Sequence, residues 1–177
     1  MATPITQTNF EKGVRTSLGM GWANYADTLY TAGSPLIINN ARTKLTCDGL
    51  GAATNKVYLP DGVTDFWDAG TNKLIAPRVG DSFEVRINFT ASASNQDYFN
   101  IEFDIGAPVG VVSAVTLFHP KTAALKYSVS KSLFSLSTYI TNGCEIYFDT
   151  TLQTPSGANV SFYDIEIFIR REFTLDI

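Results

Sequence analysis

Two groups of carboxylates are the residues of this sequence best suited to acid–base chemistry. Asp61, Asp65 and Asp68 fall within eight residues beside a tryptophan, and Glu102 and Asp104 alternate along an apolar run. A glycosidase needs two carboxyl groups about 5 Å or about 6.5–9.5 Å apart, and residues i and i+2 of a strand lie about 6.8 Å apart. Because every such strand pair meets this distance, we expect Glu102 and Asp104 to form a solvated outer face rather than a catalytic pair.

Other catalytic or ligand-binding motifs receive little support. His119 is the only histidine, so a Ser-His-acid triad or a zinc site would depend on it. It precedes Pro120 at the end of a predicted strand, and we expect a loop histidine without a catalytic role. The glycines of 106–111 do not make a phosphate loop, because Pro108 removes an amide donor. The segment 61–65 lacks the density of oxygen ligands of a calcium loop. We therefore expect no enzyme activity and no catalytic, cofactor-binding or metal-binding residues.

The two cysteines, Cys47 and Cys144, lie in strand-like surroundings. A packed cysteine behaves as a small hydrophobic residue, so we expect two free, buried thiols. A disulfide between them is the alternative that the sequence leaves open.

Aromatic residues are abundant, with 12 Phe, 8 Tyr and 2 Trp. Such rings stack on sugars when they are exposed, and they fill a core or a subunit interface when they are buried. We expect burial for most of them. The alternative, a carbohydrate-binding surface, requires at least two exposed and coplanar rings among Trp22, Tyr25, Trp67, Tyr98 and Tyr139.

Alternation of apolar and polar residues indicates the elements that position these side chains. From Phe83 to Ala91 the odd positions are apolar and the even positions are largely polar, and the pattern resumes from Phe99 to Ile105. A period of two places the apolar set on one face of a strand. The polar segment 92–97 between these runs predicts a hairpin. The same alternation marks 144–149 and 161–171.

About ten short strands are predicted in all, with turn signals every 8–12 residues, which is typical of a sandwich or barrel. One of these turns is Pro60-Asp61-Gly62, and the shorter predicted strands include 57–59. The only helical candidate is Asn9 to Leu18. We expect residues 1–20 to be an extended N-terminal arm and residues 21–177 to be one all-β domain.

Length and composition exclude several classes of protein. The chain has 177 residues, a length that fits one domain. Charged residues make up only 17% and the net charge is −4, so we expect no nucleic-acid partner. No apolar run approaches the roughly 20 residues that span a bilayer, and the first residues have neither a basic nor an apolar signal region. We therefore expect synthesis in the cytoplasm of the producing cell and no membrane association.

The layout of turns and strands resembles small jelly-roll structural proteins of the virions of tailed bacteriophages, of the capsid decoration, cement or head-fibre type. The segments that carry this resemblance are 21–27, 34–38, 40–43, 59–68, 71–77, 79–81, 140–143 and 145–147. They are turn and strand patterns rather than a chemical signature, so no functional residue is transferred.

The resemblance implies an antiparallel jelly roll of eight strands in two facing sheets, associated as a homotrimer. It also implies that the N-terminal arm binds the major capsid protein and that the protein resides on the capsid surface of the virion. The alternative function is a carbohydrate-binding or host-receptor-binding jelly-roll module of a phage fibre.

Overall fold

A computed structural model describes residues 19–121, 124–151 and 159–174. Most of the predicted N-terminal arm and the helical candidate Asn9–Leu18 lie outside these residues. The strands are β1 (Gly21–Ala26), β2 (Leu36–Ile38), β3 (Arg42–Lys44), β4 (Trp67–Asp68), β5 (Lys73–Leu74), β6 (Ser82–Ala93), β7 (Asp97–Asp104), β8 (Val111–His119), β9 (Leu125–Phe134), β10 (Glu145–Asp149) and β11 (Val160–Phe173), and helix α1 is Ser137–Asn142.

Nine of these strands form two facing antiparallel sheets. One sheet has the order β1-β11-β6-β9, with β2 added beside the start of β11, and the other has the order β3-β10-β7-β8. The chain crosses between the sheets from β2 to β3, from β3 through β4 and β5 to β6, and from β6 to β7. It crosses again at each of the three connections from β8 to β11. This is the connectivity of a jelly roll, and the predicted all-β jelly-roll sandwich is confirmed.

The core lies between the sheets and is filled by the apolar side chains that alternate with polar ones along each strand. In β6 the inward residues Phe83, Val85 and Ile87 are at most 1% exposed. Phe148 of β10 stacks on Phe162 of β11 across the core, with ring centroids 4.2 Å apart and planes within 5°. Aromatic contacts of this kind add to the free energy gained from burial of the rings.

The two lateral edges of the sandwich differ. The edge of β1 is covered by the segment that follows β3, because the amides of Trp22 and Asn24 donate to the carbonyls of Tyr58 and Asn55 at 3.0 and 2.9 Å. On the opposite side, β8 and β9 are the last strands of their sheets. Each of them is hydrogen-bonded to only one neighbouring strand among the described residues.

Three local features differ from the predictions. The runs on either side of 92–97 do not form a hairpin, because this segment carries the chain from one sheet to the other and β6 and β7 pair with different strands. Residues 57–59 form a turn rather than a strand, since this short run only contacts the edge of β1. Helix α1 was not predicted, because its sequence contains the β-branched residues Thr138, Ile140 and Thr141, which are poor helix formers. The helix forms nonetheless with Tyr139 buried in the core.

Candidate functional site

Glu102 and Asp104 lie on the outer face of the β3-β10-β7-β8 sheet, as predicted, and Arg42 covers both. Its guanidinium donates to Glu102 at 2.7 Å and to Asp104 at 2.6 Å, and it lies 3.5 Å from the ring centroid of Tyr147. The two carboxylates are only 13% and 16% exposed. They are therefore covered by Arg42 rather than fully solvated, and both are held in an ion pair with its guanidinium.

The three aspartates of 61–68 separate into different environments. Asp61 is exposed in its turn, while Asp65 accepts hydrogen bonds from Lys56 at 2.6 Å and from the Tyr25 hydroxyl at 3.2 Å. Asp68 accepts the amide of Gly70 at 2.9 Å and so fixes a turn. Within 19–121, 124–151 and 159–174 no three His, Cys, Asp or Glu side chains are placed to hold a metal ion together.

His119 is not the loop residue that the sequence suggested. It is the last residue of β8 and its side chain is fully buried. Its Nδ1 lies 2.8 Å from the hydroxyl of Tyr127, which donates to the carbonyl of Phe118 at 3.0 Å. These contacts join the ends of β8 and β9, so they give the histidine a structural position.

Both cysteines are free and buried, which confirms the favoured prediction. Burial raises the pKa of the Cys47 and Cys144 thiols to about 12 in each case. Because the thiolate is the reactive form, neither side chain is available as a nucleophile at neutral pH.

Three of the five candidate sugar-stacking rings are buried, as expected for most aromatic residues. Tyr25, Trp67 and Tyr139 are each at most 2% exposed. The Tyr25 hydroxyl accepts the amide of Phe66 at 2.8 Å, and the Trp67 indole donates to the carbonyl of Cys47 at 2.9 Å. These polar contacts satisfy the ring substituents inside the core, so the three rings serve packing.

The other two candidate rings do not form a common platform. Trp22 is half-buried and stacks on Tyr58, with ring centroids 4.7 Å apart. Tyr98 is 55% exposed and adjoins Phe118, which is 47% exposed, with the planes inclined by 53°. The five candidates therefore do not supply the two exposed, coplanar rings that the carbohydrate hypothesis requires.

The most distinctive surface is one that sequence reasoning did not single out. Eight of the fifteen exposed large apolar side chains of the described residues fall between Val109 and Ile140. We call this surface the β8–β9 side. It comprises strands β8 and β9 together with the flanking segments 105–110 and 135–140. Phe134, 67% exposed, and Leu136, 49% exposed, are prominent on it.

A groove of about 550 Å³ opens on the β8–β9 side between the two sheets. Its apolar lining consists of Ile105, Val112, Leu133, Phe134, Leu136 and Tyr139, with Cys144. Its polar lining is limited to two serines and Lys131. Such a lining favours apolar contacts with another molecule and offers no pair of groups for acid–base catalysis.

No protein-family model matches the chain, and no curated protein is similar to it in sequence. Among the described residues, no helix has the length and apolar character needed to cross a membrane. Three solved structures illustrate the fold to which the chain is similar. A CBM4 structure shares 13% identity over 83% of this chain and 93% of that chain, with a TM-score of 0.39.

The PRD1 vertex protein P5 shares 14% identity over 85% of this chain and 96% of its own, with a TM-score of 0.45. The Eiger TNF structure from S. frugiperda shares 10% identity over 89% of this chain and 96% of its own, with a TM-score of 0.48. At these identities the comparisons describe a shared β-sandwich architecture and identify no family.

Proposed function

We propose that this jelly-roll protein is a structural component of a bacteriophage virion, a trimeric capsid decoration, cement or fibre module that binds the capsid shell and stabilises it. The observation that carries the proposal is the contrast between two sets of residues. The candidate catalytic pair Glu102 and Asp104 is tied into ion pairs with Arg42, whereas apolar side chains such as Phe134 are exposed together on the β8–β9 side. Contiguous exposed apolar surface marks an interaction site.

The low charge of the chain supports the same function. Only 17% of its residues are charged, against about 25% in an average soluble domain, which suits a module whose surfaces are covered by neighbours. A protein that bridges capsid subunits stabilises only the assembled state, because it binds that state and not the separated subunits.

The N-terminal arm is the part of the chain that we propose to anchor it to the major capsid protein on the virion surface. Ordering such an arm costs about 1–2 kcal/mol per residue in backbone entropy. Several arms on one trimer offset this cost, because the first bound arm raises the effective concentration of the others.

Co-sedimentation with purified capsid shells tests this function. The full-length chain is expected to sediment with the shells, and a variant without residues 1–18 is expected to bind at least tenfold more weakly. This truncation keeps Gly19, whose carbonyl accepts a hydrogen bond from Arg171, so the domain retains that contact. Equal binding by both proteins would refute the anchoring role, and no binding by the full-length chain would refute the proposed function.

A second candidate function is glycan binding at the exposed pair Tyr98 and Phe118, whose centroids lie 5.2 Å apart on the outer face of the β7–β8 hairpin. One sugar ring could stack on Tyr98 while Asn100 and Thr116 lie beside it on the same face. A glycan array tests this possibility. Hits that disappear in Tyr98→Ala and persist in Trp22→Ala would support it, and an array without hits would reject it.

A further inference from the structure

We propose that the β8–β9 side is the surface through which copies of this chain bind one another. The inference rests on the proposed trimer and adds the face that it uses. Its occupant is a second copy of the chain, seated against the groove and against the exposed apolar residues around it. Phe134 and Val112, which both line the groove and are 67% and 41% exposed, are the central contacts.

The length of this side suits an interface between chains. Strand β8 has nine residues, so a rise of about 3.3 Å per residue makes it about 30 Å long, and the two sheets lie about 10 Å apart. Exposed apolar side chains of β8 and β9 project beyond this outline. A standard interface takes roughly 800 Å² of surface from each partner, so a neighbouring copy would extend over the whole of this side.

Charge favours a second copy as the occupant. Residues 105–144 contain Lys121, Lys126 and Lys131 and no acid. The rest of the chain contains all 17 acidic residues and the other ten basic residues. Its net charge is therefore −7, whereas the net charge of residues 105–144 is +3. A positive side therefore meets complementary charge on another copy, which steers association. Contacts between unlike surfaces of identical copies form a ring when the rotation that relates the copies closes.

The open backbone edges point to the same surface. Strands β8 and β9 each have one hydrogen-bonded neighbour in the described residues and are nine and ten residues long. On the other side, β1 is covered by the carbonyls of Asn55 and Tyr58, and the edge strand β3 has only three residues. An uncovered strand edge with apolar side chains promotes pairing with other chains unless a partner covers it. A neighbouring copy would cover both edges and the groove at once.

Light scattering on the full-length chain, without capsid material, tests the inference. Three chains of 19.3 kDa would give a mass of about 58 kDa. The variants Phe134→Asp and Val112→Asp are expected to raise the concentration at which the trimer dissociates at least tenfold. Leu50→Asp is the matched control, since Leu50 is 77% exposed in the segment on the opposite side; it is expected to leave the mass unchanged. Circular dichroism verifies that each variant is folded.

Hydrogen exchange provides a readout that needs no variant. Amides of β8 and β9 are expected to exchange more slowly above the dissociation concentration than below it, and unchanged exchange would overturn the inference. A trimer that persists in both variants would also overturn it while leaving the proposed function intact. A wild-type chain that is monomeric at every concentration would overturn it too, and shell binding would still be judged separately by co-sedimentation. If the wild-type chain is monomeric and the variant without residues 1–18 associates, the inference is overturned, because the chain's own N-terminal segment then covers the β8–β9 side.

Discussion

The guanidinium of Arg171 lies 3.3 Å from the carboxylate of Asp81, and the two side chains are only 5% and 0% exposed. The pair connects the turn before β6 to the end of β11, residues that are 90 positions apart in sequence. Arg171 also donates to the carbonyl of Gly19, so the chain segment entering β1 is fixed at the same point. Removing one member of a buried pair leaves the other charge without compensation in a medium that solvates it poorly.

We therefore expect Arg171→Leu to lower the free energy of unfolding by about 3–5 kcal/mol, measured by urea denaturation. Arg170→Leu is the control, because the Arg170 side chain is 50% exposed and bridges Glu84 and Glu172 at the surface. Surface pairs contribute about 0–1 kcal/mol, so a small loss is expected there. Equal losses in the two variants would contradict the structural importance of the buried pair.

Thiol chemistry is expected to follow burial. Cys47 and Cys144 are fully buried and their thiol pKa values are raised to about 12. A thiol reagent should modify neither residue in the native protein at pH 8, and it should modify both in guanidinium without added reductant. Rapid reaction of one thiol in the native state, or no reactive thiol in denaturant, would contradict the structure.

The acid stability of the fold should depend on Glu145. Burial alone would raise the pKa of this carboxyl, but hydrogen bonds from Lys44, at 2.8 Å, and from the Tyr147 hydroxyl outweigh it and lower the pKa from 4.5 to about 2. Because the folded state binds the proton less readily than the unfolded state, the stabilisation is complete above about pH 4.5 and is lost as the pH falls towards 2.

The variant Glu145→Gln should therefore lose about 1 kcal/mol of stability at pH 7 and almost nothing at pH 2. Thermal melts across this pH range measure the difference. Glu172→Gln serves as the control, since its partner Arg170 is half exposed. A gap between wild type and Glu145→Gln that stays constant from pH 7 to pH 2 would argue against the ion pair as its cause.

Close packing of the 50–60 segment on β1 leads to a fourth prediction. A Cβ atom added at Gly21 would lie 2.3 Å from the carbonyl oxygen of Tyr58, so Gly21→Ala must displace this segment and should cost about 1–3 kcal/mol. Trp22 stacks on Tyr58, so its fluorescence should shift to the red. At Gly33 the nearest atom is 3.9 Å away, and Gly33→Ala should leave both stability and fluorescence unchanged.

Much of the fold could be predicted from period-two patterns alone. In β11 the buried Ile165, Ile167 and Ile169 alternate with more exposed residues, as expected. In β7 the alternation predicted from Phe99 onward is also observed, with Phe99, Ile101 and Phe103 fully buried. These patterns succeed because each strand of a sandwich has one face in the core, so local alternation reflects the tertiary environment.

The candidate site was harder to predict, because it includes a strand that is apolar on both faces. Such a run occurs both in strands buried on both faces and in edge strands with an exposed apolar face. Residues 111–118 place Phe118 on the outer face and Val115 and Leu117 on the inner face, while Val112 falls at a bulge beside the groove. From sequence alone this run fits a strand buried on both faces. Only the sheet order shows that β8 is an edge strand and that its outer apolar residues are exposed. Similarly, the role of Arg42 in covering Glu102 and Asp104 depends on contacts about sixty residues apart.

The carbonyls of Asn55 and Tyr58 accept hydrogen bonds along the outer edge of β1. This contact also limits how the molecule can polymerise. Unlimited strand-by-strand growth into a fibril requires two open strand edges on every molecule. One edge pairs with the preceding molecule and the other pairs with the next. In the five-stranded sheet one of these edges, that of β1, is already occupied by the protein's own backbone. Strand-to-strand joining of this sheet is therefore directed to the edge of β9, where it ends after a single addition.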